Sequence, residues 1–255
     1  IRRQRQMCIR DSKVGIAASV VNSTNPTFLY TSRQLNFTVN YTGLQIYNPV
    51  RDTRVYVTQN QDPNSRRNFT PTFVRQNQLV YGNGSDNIFN GLSPFRNFQC
   101  SSLVYYTRYV KDVLKGPEGR YNFILVPGTV PQRYIPTPDR GGNFYIEAEN
   151  VQNSDLEADY IVAHFAILYP EPIPGAEVYI YGKFADWQLL PELKMDYDAK
   201  NKAYVGQAEL KQGYYDYMFA VVPSKEKKPD LVTMQNNFYQ TPDEYNLSLI
   251  HISEP

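Results

Sequence analysis

Few side chains in this 255-residue chain are of the kinds that catalyse reactions or bind metal ions. Only two histidines occur, His164 within an alternating apolar segment and His251 near the C-terminus. A histidine in a strand is usually structural, and a Ser-His-Asp arrangement needs further partners that no motif here provides. The sequence also lacks GxSxG, HExxH and a glycine-rich phosphate loop. We therefore predict no catalytic histidine.

Carboxylates occur in pairs at Asp196 and Asp198 and at Glu147 and Glu149. A spacing of two places both members on one face of a strand. General acid-base catalysis needs two carboxyl groups in environments that push their pKa values apart. The members of each pair here are predicted to be exposed and to have similar surroundings. Residues 196–201 (DYDAKN) offer oxygen ligands for calcium but lack the EF-hand pattern, so a turn is favoured. We predict a protein that is not an enzyme, with no cofactor and no metal site.

The two ends of the chain resemble translated sequencing-adapter read-through, and we interpret residues 1–12 and 248–255 as foreign. They hold four of the 26 basic and two of the 25 acidic residues, so that 22 basic and 23 acidic residues remain. Without a basic arm, no nucleic-acid partner is predicted. Cys8 falls in the first segment, which excludes a disulfide and leaves Cys100 as a small buried apolar residue. No apolar run is long enough for a transmembrane helix.

The aromatic content of 14%, with 22 Tyr and 13 Phe, favours β structure. Residues 34–42 (QLNFTVNYT) alternate most clearly, and further strands are predicted near residues 53–58, 79–81, 103–109 and 121–126. Residues 160–169 open a second series of strands. We predict an all-β fold of tandem immunoglobulin-like or early-set β-sandwich domains, the first over residues 13–151 and the second over residues 152–247.

The most organised motif is residues 182–187 (GKFADW), followed by residues 211–220 (KQGYYDYMFA). This succession is similar to the early-set β-sandwiches that bind glycogen and starch. Alternation from Gly213 puts Tyr215, Tyr217 and Phe219 on one face, predicted to be the core, and Tyr214, Asp216 and Met218 on the other. Structural roles are favoured for these aromatics, because such modules usually have a second ligand-facing Trp. Trp187 and Tyr214 are the residues that we predict could contact a partner or a glycan.

Seven motifs occur in an order that resembles the type IX secretion system plug protein family of Bacteroidota. They are NP at 48–49, VYVTQN at 55–60, FRNF at 95–98, ADYIVAHF at 158–165, VYIYGKFADW at 178–187, KQGYYDY at 211–217 and NFYQTPDEY at 237–245. The resemblance covers nearly all the chain between the discounted ends. The family usually has another β domain before residue 13 and continues past residue 245, so we expect this chain to be a fragment.

The resemblance implies a location and a partner. Such a protein would lie in the periplasm, associated with the outer membrane, and would close the periplasmic mouth of the giant translocon barrel, SprA/Sov, by protein-protein binding. The alternative function is that of a glycan-binding module in a polysaccharide-handling protein, with Trp187 and Tyr214 as the contacts.

Overall fold

The computed structural model describes residues 14–42, 46–82, 84–105, 107–117, 119–226 and 228–251. Most of these residues lie in or between β-strands, as the all-β prediction required. The strands in chain order are β1 (Gly15–Asn22), β2 (Ser32–Asn40), β3 (Thr53–Gln59), β4 (Arg67–Phe69), β5 (Phe73–Arg75), β6 (Gln78–Tyr81), β7 (Ile88–Asn90), β8 (Arg96–Gln99), β9 (Val110–Lys115), β10 (Tyr121–Leu125), β11 (Gly128–Thr129), β12 (Phe144–Ile146), β13 (Tyr160–Leu168), β14 (Ala176–Tyr181), β15 (Lys194–Asp198), β16 (Ala203–Lys211), β17 (Gly213–Pro223) and β18 (Tyr245–His251).

The helices among the described residues are short. Three α-helical turns are α1 (Pro49–Asp52), α2 (Ser154–Glu157) and α3 (Val232–Gln235), and the 3₁₀ turns are Pro26–Phe28, Pro63–Ser65, Ser85–Asn87, Lys183–Ala185 and Pro191–Leu193. Asn and Asp side chains cap several of them, as expected where a short oxygen acceptor precedes a turn. No helix in the described parts of the chain is long and apolar enough to cross a bilayer.

The chain divides into two compact units. Unit 1 comprises Ile1–Leu92 and Asn237–Pro255, and unit 2 is Ser93–Asn236. The boundary differs from the one predicted at residues 151/152, which lies inside unit 2. There β10 pairs in parallel with β13, so strands from both sides of residue 152 share one sheet. Parallel pairing between distant segments leaves no local signal in a sequence, so the new series of strands from residue 160 was interpreted as a separate domain.

Unit 1 contains two sheets that share one apolar cluster. One sheet has the order β1-β2-β6-β5, with β7 also paired to β2, and the other has the order β18-β3-β4. The alternation predicted in β2 is confirmed, because Leu35, Phe37 and Val39 are all buried in this cluster. The Phe37 ring meets Phe69 of the second sheet at a centroid distance of 5.6 Å. The cluster is therefore filled from both sheets.

Unit 2 contains one ten-stranded sheet, ordered β12-β17-β14-β15-β16-β13-β10-β9, with β8 beside β17 and β11 beside β13. In a flat sheet β13 and β17 would lie about 19 Å apart, at about 4.8 Å per strand. The rings of Phe165 on β13 and Tyr217 on β17 are nevertheless only 5.0 Å apart. The sheet therefore curls around its own core.

Two further sequence predictions can be compared with the fold. The strand predicted at residues 103–109 is wrong, since the described residues there form bends and turns. Ser102 Oγ accepts hydrogen bonds from the amides of Val104 and Tyr105, and Tyr109 has a left-handed φ of 76°. Residues 1–12 lie outside the described residues. Residues 248–251, which we interpret as foreign, pair with β3. A backbone ladder uses only main-chain N–H and C=O groups, so this pairing does not distinguish native from foreign residues.

Candidate functional site

Trp187 lies in a tight turn at the end of β14. Its amide donates a hydrogen bond to the Gly182 carbonyl oxygen at 3.1 Å, and both Asp186 and Trp187 have left-handed φ values, 49° and 59°. Such values are unusual for a residue as bulky as Trp. Gly182 itself is extended, but a Cβ there would come within 2.7 Å of the Phe184 ring. Close packing, and not an unusual backbone angle, therefore requires glycine at this position.

The Trp187 ring is buried, with 5% of the residue exposed. It packs against Tyr181 and Phe95, at centroid distances of 5.3 and 6.2 Å, and against the backbone at Gly142. A sugar-binding Trp presents an open ring face to its ligand. The ring of Trp187 has little free surface of that kind, so the structure gives the glycan alternative no support at this residue.

Tyr214 is half-buried and belongs to a small polar network. Its hydroxyl donates to Asp216 Oδ1 at 2.7 Å, and its ring stacks on Tyr145 at a centroid distance of 5.2 Å. Burial and the bond to Asp216 raise the pKa of the Tyr214 hydroxyl. The residue therefore contacts its neighbours in β12 and β17, and only part of its ring is open to solvent.

Asp216 is the buried centre of that network, with 1% of the residue exposed. Its Oδ2 accepts hydrogen bonds from the amides of Arg140 at 2.7 Å and Gly142 at 2.9 Å. Burial raises the pKa of Asp216 to about 6, although these hydrogen bonds act in the opposite direction. Asp216 therefore bonds both to Tyr214 and to residues 140–142, which form the loop that covers Trp187. The two residues predicted from the sequence thus lie on either side of one loop.

The other groups considered for chemistry make structural hydrogen bonds. His164 Nε2 lies 2.9 Å from Asn122 Oδ1, and burial lowers the pKa of the imidazole. His164 also lines an open groove with Glu192 and Asp196, but among the described residues neither carboxylate bonds to its ring. Asp198 accepts from the Lys200 and Asn201 amides, which is the predicted turn.

Cys100 and the possible metal ligands are the remaining groups of this kind. Cys100 is fully buried, and burial raises the pKa of its thiol to about 12, which fits the predicted role as a small apolar residue. Across the described ranges, no group of three or more His, Cys, Asp or Glu side chains is placed to hold a metal ion.

Unit 2 also contains a cavity of about 380 Å³, which we call the arginine cavity. Three arginines line it, Arg96, Arg108 and Arg133, and no acidic residue occurs among its described lining residues. Its other walls include the aromatic rings of Phe95 and Tyr217 and a prolyl segment. Its volume lies near the lower end of the range of about 300–1,000 Å³ that is typical of ligand pockets. The cavity is therefore cationic at some points and apolar at others.

Arg96 occupies an inward-facing position at the start of β8. It lies opposite Tyr217 in the ladder with β17, and its guanidinium carbon is 5.4 Å from the Phe219 ring centroid. Nη2 donates to the Thr129 carbonyl oxygen at 2.7 Å, whereas Nε is buried and has no hydrogen-bond partner in the described structure. Burial lowers the pKa of the guanidinium. A Cβ at Gly128 would lie 2.5 Å from Nη1, so glycine there makes room for this arginine.

Gln235 also lines the cavity and is fully buried. Neither its Nε2 nor its Oε1 has a hydrogen-bond partner among the described residues. Its backbone is fixed, since its amide donates to the Leu231 carbonyl oxygen and its carbonyl oxygen accepts from Ser93 Oγ. Buried amides are normally paired, so this side chain is an exception that a bound group would explain.

Sequence reasoning missed the arginine cavity and Asp216. Phe98 and Cys100 are apolar at a spacing of two, and extending that alternation backwards would have placed Arg96 on the inner face. No comparable local signal points to Gln235 or Arg133. Gln235 lies in α3 and Arg133 in the loop between β11 and β12, and only the tertiary structure brings them to one cavity.

Comparisons with known proteins bear on the fold. The chain is similar to a hypothetical protein from Parabacteroides merdae ATCC 43184, known from a crystal structure, with a TM-score of 0.88 and 26% sequence identity. The match covers 94% of this chain and 61% of that chain. No family model matches the chain, and no curated protein matches it. The fold described here thus also occurs in a protein from the Bacteroidota.

Proposed function

We propose that this chain is part of a non-catalytic plug component of the type IX secretion system. In this role it lies in the periplasm against the outer membrane and closes the translocon barrel, SprA/Sov, by protein-protein binding. The ordered motifs supply the identity of the partner, and the likeness to a Bacteroidota protein supports the taxonomic part of the proposal. The proposal includes the finer description of both units as immunoglobulin-like or early-set β-sandwiches.

The observation that carries the binding role is the preformed arginine cavity of unit 2. Its guanidinium groups have no carboxylate partner among the described residues. By contrast, groups that the sequence offered for catalysis are bonded to structural neighbours, as at Asp198 and His164. Arginine and aromatic side chains are enriched where protein interfaces gain most of their binding energy. The geometry therefore favours recognition over reaction chemistry.

Co-purification tests this proposal. The full-length protein, tagged and expressed in a native host with an active type IX system, should recover the translocon barrel. The double variant Arg108→Glu and Arg133→Glu should recover much less, because both side chains are exposed on the arginine cavity. Arg75→Glu is the matched control, since Arg75 is equally exposed but lies on β5 in unit 1. Failure of the wild-type protein to recover the barrel would reject the plug role.

A further inference from the structure

Two buried side chains that line the arginine cavity, Arg96 and Gln235, have polar atoms without hydrogen-bond partners among the described residues. Arg96 Nε is a buried donor of a charged guanidinium, and the Gln235 side chain provides an NH₂ group that donates and an oxygen that accepts. Leaving such groups unpaired in a buried site is unfavourable, and more so for a charged group. A ligand that forms hydrogen bonds with both groups would therefore bind more tightly than one that contacts only the surface.

The chemistry of that ligand follows from these two groups. A guanidinium fork matches a carboxylate, with two parallel N–H···O bonds in the best geometry. A primary amide whose nitrogen and oxygen both lack a partner matches a peptide group, which supplies one C=O and one N–H. A fully deprotonated inorganic anion such as sulfate offers only acceptors and would leave Gln235 Oε1 without a donor. The pair thus favours a carboxylate that is attached to a peptide.

The rest of the cavity agrees with this chemistry. Arg108 and Arg133 are exposed on it, and the absence of acidic residues among its described lining residues leaves the positive charge unopposed. The rings of Phe95 and Tyr217 provide apolar surface for the methylene groups of a Glu side chain or for a neighbouring residue of the peptide. The volume of about 380 Å³ is too small for a folded element but sufficient for one or two residues.

We propose that the arginine cavity of unit 2 binds an acidic peptide segment of a partner protein, with the carboxylate at Arg96 and the peptide group at Gln235. This inference rests on the proposed protein-binding function and names the chemistry of the partner. Arg108 and Arg133 attract the acidic segment and hold it at the mouth. The other ligand classes, a free inorganic anion and an uncharged peptide, are outcomes of the test.

The test titrates the purified full chain with a short blocked peptide, acetyl-Gly-Ala-Glu-Ala-Gly-amide, and follows the Gln235 side-chain amide by ¹⁵N NMR. Binding should shift that resonance and should weaken as ionic strength rises. The peptide with Gln in place of Glu should bind about tenfold more weakly, the equivalent of about 1.4 kcal/mol. Sulfate, which can accept from the Gln235 NH₂ but cannot donate to Oε1, should shift that resonance less than the peptide does.

Variants separate binding from folding. Arg133→Gln removes an exposed charge and should weaken peptide binding several-fold without unfolding the protein, whereas Arg75→Gln in unit 1 should have no effect. Gln235→Glu is nearly isosteric and places a carboxylate beside the cavity arginines, so it should abolish binding. Near-UV circular dichroism would verify that both variants remain folded.

Several results would overturn the inference. Equal binding of the Glu and Gln peptides would reject the carboxylate, and a sulfate-induced shift of Gln235 equal to that of the peptide would reject the peptide group. An unmoved Gln235 resonance would mean that ordered water alone satisfies the amide. The two proposals can also fail separately. Peptide binding without recovery of SprA/Sov would reject the plug role and keep this site, and the reverse result would reject this site alone.

Discussion

The buried carboxylate of Asp216 predicts a measurable dependence of stability on pH. Its pKa is about 6 in the folded protein, against an ordinary value of 3.8, because burial disfavours the charged form. A raised pKa means that the contribution of this group to stability is fully present below pH 3.8 and is lost as the pH rises through about 6. At about 1.36 kcal/mol per pKa unit, ionised Asp216 costs the folded state about 3 kcal/mol. Lowering the pH from about 7.5 to about 5 should restore about 1.4 kcal/mol of this loss.

The substitution Asp216→Asn should remove this dependence. An Asn oxygen can still accept from the Arg140 and Gly142 amides, and its NH₂ can donate to the Tyr214 hydroxyl if that hydroxyl rotates. Other titrating groups, including His164, act equally in both proteins, so their effects cancel in the comparison.

The assay for this prediction is urea unfolding followed by Trp fluorescence. Trp187 is the single Trp of the chain and lies in unit 2, so its signal reports on the unit that contains Asp216. The wild-type protein should gain about 1.4 kcal/mol more than Asp216→Asn when the pH falls from about 7.5 to about 5. Asp159→Asn, which changes an exposed carboxylate of the same unit, should behave like the wild type. Identical pH dependence in the wild-type and Asp216→Asn proteins would refute the reasoning.

Two further predictions concern buried side chains. Trp187→Ala should lower the free energy of unfolding by about 3–5 kcal/mol in urea denaturation followed by circular dichroism. Tyr47→Ala should change it by no more than about 0.5 kcal/mol, since Tyr47 is 97% exposed, and equal effects would contradict the packing assigned to Trp187. In a Cys8→Ser background, Cys100 should react with a thiol reagent only after denaturation, because its thiol is buried and its pKa is raised to about 12. Rapid labelling of the folded protein would show that this thiol is accessible.

Local patterns predicted the strands well where one face is buried throughout. In β2 and β13 the alternating apolar residues are the buried ones, because a period of two assigns each side chain to one face of a strand. The same reasoning placed Tyr215 and Tyr217 on the core face and Asp216 on the opposite face, but it did not indicate that Asp216 is buried there. Alternation separates two faces and does not say whether the second face is also covered. The loop of residues 139–142 supplies the amides that make burial of this carboxylate tolerable.

The sequence by itself therefore determined the all-β class, the inner faces of the main strands and the structural role of Cys100. The tertiary structure decided the boundary between the units, because it depends on parallel pairing between β10 and β13. It also decided that Trp187 is packed inside unit 2, and that Arg96 and Gln235, distant in the chain, line one cavity. Periodicity is a property of neighbouring residues, whereas a cavity forms only when the fold brings distant segments together.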